Sequence, residues 1–206
     1  MPHLSTRLLW VLLVAACFLA TYAALNVYAI RQVNPINEYR NSALLRGGVL
    51  VNSVDDEYYV NPPENFLAGK GWRRTPIGRA SYARRTPGYS LWYLPYRMAF
   101  GPHRVFAALA VGQWLLFLAS VAALFGAVQR LPLLPAVRWG VLAVYIGAPF
   151  FSSYALYTIT ESISVALLVV YLGCLTKAYY ADDPRIKLRS YVVAAFFARP
   201  PCSRAP

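Results

Sequence analysis

Carboxylates are scarce in this sequence: eight Asp and Glu stand against twenty Lys and Arg in 206 residues, for a net charge of +12. Charged residues of both signs make up only 14%, where a soluble domain carries about 25%. With 58% apolar residues and a mean hydropathy of +0.42, such a chain cannot clothe a water-facing surface. Disordered, collagen-like and ordinary water-soluble enzyme classes are excluded on that ground. Histidine and cysteine are equally sparse. His3 and His103 are isolated, and Cys17, Cys174 and Cys202 form no C-x-x-C pair. The cysteines read as small apolar fillers, and no metal site or cofactor is expected. The basic excess does not indicate nucleic acid either. Eleven of the twenty basic residues lie in one segment, 31–104, and the rest flank apolar runs or sit at the ends, where basic residues set topology and meet lipid phosphate.

Long apolar runs are what the chain has in quantity. Leu8–Ile30 is uncharged over 23 residues, enough to cross a hydrocarbon core of about 30 Å. Val14-Ala15-Ala16-Cys17 loosely resembles a lipoprotein cleavage box behind Arg7, but the apolar run continues past Cys17, which favours an uncleaved span. A second run covers Val105–Val128, between Arg104 and Arg130. Trp139–Tyr157 and Ser162–Leu175 follow, joined by a turn holding Glu161, which reads as an interfacial or capping residue with Thr160. Tyr191–Ala198, eight residues before Arg199-Pro200-Pro201, is too short to cross alone. The expected fold is an all-α integral membrane protein of about four transmembrane helices (8–30, 105–128, 139–157 and 162–175), an incipient span and Pro-rich tail over 191–206, and a long outer loop, 31–104, carrying short juxtamembrane helices. Arg7, Arg130, Arg138, Lys177, Arg185, Lys187 and Arg189 fall on one side if the spans alternate, which places the N-terminus in the cytoplasm and the loop outside.

The outer loop is where aqueous chemistry can occur. It holds five of the eight acids, three of them consecutive at Asp55-Asp56-Glu57. Asn61 as N-cap, Pro62 at the first helical position and Glu64 at the third predict a short helix over about 62–68, closed by Gly69. Tyr89, Trp92, Tyr93, Tyr96 and Phe100 share one helical face, with Pro95 expected to kink or break the helix. Before a span, such a stripe belongs at the headgroup level and reads at its plainest as an anchor belt.

The order of these motifs resembles the first part of the GT-C membrane glycosyltransferases, the group related to protein O-mannosyltransferases and bacterial lipid A sugar transferases. An N-terminal span precedes Asp56-Glu57; Asn65-Phe66-Leu67-Ala68-Gly69-Lys70-Gly71-Trp72, Thr86-Pro87-Gly88-Tyr89-Ser90-Leu91 and Phe100-Gly101 follow, then Thr160-Glu161-Ser162 and Ala198-Arg199-Pro200. The resemblance covers about residues 5–200. It departs at Pro62-Pro63, where relatives carry a helical Tyr/Ala pattern.

The resemblance implies an inverting transferase of the bacterial cell envelope, in the inner membrane, using a polyprenyl-phosphate-linked sugar with no cofactor. It places the catalytic carboxylate at Asp56 and Glu57, and the duplicated Asp leaves Asp55 as the alternative register. Lys70, Arg73, Arg74, Arg84, Arg85 and Tyr89 are the candidate substrate-binding residues, since a leaving phosphate gathers charge that cations stabilise. Family members have many more spans, so the chain is expected to correspond to an N-terminal portion, inactive by itself, that meets membrane lipids and a membrane partner protein. The rival reading is a non-catalytic polytopic protein, an assembly partner or degenerate remnant, in which three acids in a loop are a solvated turn.

Overall fold

The computed structural model describes residues 2–32, 45–46, 50–51, 56–73, 88–148 and 160–198. Among them the chain is all-α, with six helices: α1 (Pro2–Gln32), α2 (Asp56–Leu67), α3 (Gly88–Arg130), α4 (Pro135–Gly147), α5 (Thr160–Tyr179) and α6 (Pro184–Ala198). Two very short antiparallel strands, β1 (Leu45–Arg46) and β2 (Leu50–Val51), pair Leu45 with Val51 and Arg46 with Leu50.

Several helix boundaries are set by the residue before a proline, which is sterically pushed out of the α region. Leu134 is extended (φ −59°, ψ 143°) ahead of Pro135, and Ala148 is extended (φ −70°, ψ 122°) ahead of Pro149. The helix within the expected third span therefore ends at Gly147. At 13 residues it is about 20 Å long, shorter than a hydrocarbon core; the remainder of that expected span, 149–157, lies outside the described residues. Asp183 starts α6 by accepting the Arg185 N–H on Oδ1 at 2.8 Å, with Pro184 in the first turn. The short apolar patch 191–198 is the second half of this helix.

The same rule acts inside α3. Helical dihedrals persist through Pro95, where a kink or a break was expected, and depart at Gly101 (φ 70°, ψ 177°), the residue before Pro102. The chain reverses there. Gln113 Nε2 donates to Tyr89 Oη at 2.9 Å, Tyr93 and Phe106 rings lie 5.8 Å apart, and the Tyr96 ring occupies the space a Cβ on Gly112 would take. A straight helix would hold residues 89 and 113 about 36 Å apart. The element is therefore an antiparallel hairpin of two arms, 88–100 and 102–130, and Gly112 admits the close approach of Tyr96.

Gly101 occupies a region of backbone space that only glycine enters without strain. An added Cβ there meets nothing within 4 Å, so a substitution reports on backbone strain alone. Gly101→Ala is expected to destabilise the hairpin by about 1–3 kcal/mol, read from denaturation of the detergent-solubilised chain. Gly88→Ala, where φ is ordinary and space is open, should be near neutral.

The chain divides into two compact units. One comprises 1–21, 115–152 and 164–206. In it Val11, Ala15 and Leu19 form a buried stripe on α1, while Leu9, Trp10, Leu13, Val14 and Phe18 are exposed. Phe117 and Tyr145 stack at 5.6 Å, with the Tyr145 hydroxyl 2.7 Å from Ser120 Oγ. A Cβ on Gly173 would lie 2.9 Å from the Ala123 Cβ, so α5 meets α3 through small residues that let the backbones approach closely. The other unit comprises 22–114 and 153–163 and contains α2, the 88–100 arm and the start of the 102–130 arm.

Among the described residues two elements are long and apolar enough to cross a membrane, Thr6–Leu25 within α1 and Gly88–Arg130, the latter through its 102–130 arm. Only 22% of the most apolar window of the first is buried, whereas the core helix of a soluble protein hides its apolar face against its neighbours. α5 is a further apolar helix, of 20 residues, counting from Thr160.

Candidate functional site

The acidic trio leads into α2. Asp56 and Glu57 are the first two residues of that helix; Asp55 lies outside the described residues. The helix begins earlier than the capping pattern at Asn61 predicts, and it carries Pro62 and Pro63 internally. Proline lacks the N–H that a helix would donate four residues back, so Pro63 leaves the Tyr59 carbonyl without its helical donor. Ser90 supplies one: its Oγ donates to the Tyr59 carbonyl at 2.8 Å in a buried position. Tyr59 also packs on Tyr89, with ring centroids 5.5 Å apart. The prolines are tolerated because the 88–100 arm of α3 satisfies part of what they remove.

The C-terminus of α2 closes as expected at Gly69, which adopts φ 72°. The Gly69 N–H donates to Phe66 O at 3.0 Å and the Lys70 N–H to Asn65 O at 2.8 Å, the paired bonds of a Schellman motif. Asn65 Nδ2 donates to Arg73 O at 2.8 Å, and Phe66 meets Trp72 edge to face at 5.9 Å. The segment 68–73 is thereby folded against the helix end, with Lys70 and Arg73 exposed.

Among the described residues of this unit, Glu64 makes a polar contact that the capping pattern did not single out. Glu64 Oε1 accepts from the Tyr93 hydroxyl at 2.6 Å and from Arg97 Nε at 2.6 Å, and Oε2 accepts from Arg97 Nη2 at 3.2 Å. This two-pronged carboxylate–guanidinium pair is of the directional, charge-assisted type. The hydrogen bonds that Arg97 donates to Glu64 raise the Arg97 pKa further, so the guanidinium stays charged at any pH of interest. Tyr93, four residues before Arg97 on the same helical face, is almost fully buried. No spacing in the sequence singles out this clamp, since Glu64 and its partners lie 29 and 33 residues apart.

Tyr89, a candidate substrate-binding residue, is 0% exposed and occupied by Gln113 and Tyr59. It serves packing and presents no face to a ligand. The expected aromatic belt is likewise turned inward at Tyr89 and Tyr93, while Phe100 is exposed. Lys70 and Arg73 lie past the far end of α2 from Asp56 and Glu57, with about 16 Å of helix between. By backbone position, Asp56 and Glu57 stand at the start of α2 and Lys70 and Arg73 beyond its end. Arg74, Arg84 and Arg85 lie outside the described residues. Among the described residues, no three His, Cys, Asp or Glu are grouped so as to hold a metal ion. No family model, curated protein or solved structure matches the chain.

Proposed function

We propose that the chain is a multi-pass protein of a bacterial inner membrane and the N-terminal portion of a GT-C type glycosyltransferase. In this reading it moves a sugar from a polyprenyl-phosphate donor to an acceptor on the outer face. One observation carries it: the helix that opens with Asp56 and Glu57 is clamped through Glu64 to an arm of α3, and that arm joins, through Gly101, directly to the most apolar stretch of the same helix. A donor whose tail lies in the bilayer and whose phosphate lies at its surface needs a carboxylate fixed on a rigid element near that surface.

The carboxylate of Asp56, or of its neighbours Asp55 or Glu57, takes the proton of the acceptor hydroxyl. The acceptor oxygen forms a bond to the anomeric carbon, and the carbon–oxygen bond to the phosphate breaks with its electron pair going to the leaving polyprenyl phosphate. Inversion follows from attack opposite the leaving group. Cations stabilise that phosphate; Arg74, Arg84 and Arg85 are the ones assigned to it. Lys70 and Arg73, at the far end of α2, meet lipid headgroups. That same separation favours the second reading, a non-catalytic assembly partner.

Incorporation of radiolabelled sugar from a polyprenyl-phosphate donor, compared between membranes with and without the chain, separates the two. Label in an acceptor only where the chain is present supports transfer; no difference, in a membrane that also holds its partners, supports the assembly role. Topology has its own expected result. In a cysteine-free background, Lys70→Cys should react with a membrane-impermeant maleimide in intact cells. Leu134→Cys, also at an exposed position, should react only after the membrane is opened. The reverse pattern overturns the arrangement inferred from the basic residues.

A further inference from the structure

A groove of about 380 Å³ runs between α1 and α4, with Arg7, Trp10, Val14, Trp139, Ala143 and Ile146 along its walls. The register of the two helices follows from Gly147, whose absent Cβ would face the Phe18 ring at 4.0 Å. The walls, residues 7–14 of α1 and 139–146 of α4, both precede that pair, so the helices run parallel, and Trp10 and Trp139, each eight residues before it, are level. The groove therefore has one polar end, where Arg7 is exposed and the indoles flank it, and an apolar remainder. Arg7 is the one charged residue on its described walls.

We propose that this groove binds one acyl chain of an anionic phospholipid, with the headgroup phosphate on Arg7. The walls offer nothing to a polar ligand along their length, and a single cation at one end selects an amphiphile with a negative head. Guanidinium binds phosphate through paired hydrogen bonds, and tryptophans at the level of the cation mark the headgroup zone. The one cation at the end of the groove complements an anionic head, and the apolar walls beyond it complement a hydrocarbon tail. The proposal depends on the membrane location and not on sugar transfer.

Native mass spectrometry of the full chain, released from detergent containing equal amounts of phosphatidylglycerol and phosphatidylcholine, tests it. One phosphatidylglycerol should be retained over phosphatidylcholine by about five-fold, the preference one interfacial arginine confers. Arg7→Gln should bring that ratio close to one while lipid is still retained. Ala143→Phe, at an exposed position, fills the groove and should lose both lipids with helix content unchanged. Equal retention by the unaltered chain, or a preference that survives Arg7→Gln, overturns the proposal. A lipid-free dimer also overturns it and assigns the groove to a second copy. Alkaline extraction of membranes reads the membrane location separately: release of the chain would sink that location whatever the lipid result.

Discussion

Asp56→Asn is expected to lower sugar transfer by about 10²–10⁴-fold, the contribution of a positioned general base. The substitution keeps the shape of the side chain and removes both the proton acceptor and the charge. It leaves Glu64 and its partners untouched, so α2 should remain docked on the 88–100 arm. The measurement is label transferred per chain under single-turnover conditions, in membranes that show activity with the unaltered sequence. Retained activity in Asp56→Asn with loss in Asp55→Asn or Glu57→Gln moves the base to that neighbour. Full activity in all three variants removes the catalytic assignment from the trio and leaves the assembly reading.

The second large effect is on stability. Glu64→Ala is expected to cost about 2–3 kcal/mol, from the loss of the hydrogen bonds that Tyr93 and Arg97 donate to a charged group. Tyr93 supplies much of that cost. Its ring is 1% exposed, and its hydroxyl loses the 2.6 Å acceptor it has in Glu64. Arg97 supplies less, because at 21% exposure it recovers water and solvent screens the pair. Glu64→Gln keeps an acceptor for Tyr93 and should cost less than Glu64→Ala. A double-mutant cycle with Arg97→Met separates the two contributions by denaturation in detergent. Additive costs would show that the pair is not a clamp.

Helix ends proved the most legible part of the chain. Gly69 was readable as a left-handed cap from its place after an apolar stretch, and it forms one. The pre-proline rule was equally readable at Ala148, yet a hydropathy window that runs through Gly147-Ala148-Pro149 sees only apolar residues. Backbone sterics ended the helix where transfer energy alone would have continued it. At Pro95 the local rule fails in the other direction: a proline costs a helix one hydrogen bond but is compatible in φ, and the true break falls at Gly101, where a glycine and the following proline act together.

The sequence by itself determined the apolar character of the chain, the helical class, the two long apolar helices and the ends set by Gly69, Gly101 and the residues before proline. Each depends on composition or on interactions within about four residues along the chain, which a linear reading contains. Tertiary structure alone decided that α2 runs through Pro62 and Pro63, because the donor that satisfies Tyr59 comes from Ser90, 31 residues away. It decided that Tyr89 and Tyr93 pack inward, because the reversal at Gly101 brings Gln113 and Phe106 to them. It also decided that Glu64 clamps two helices, since its partners lie 29 and 33 residues on. Hydrogen-bond partners at such separations are chosen by how the helices dock, and no local pattern encodes them.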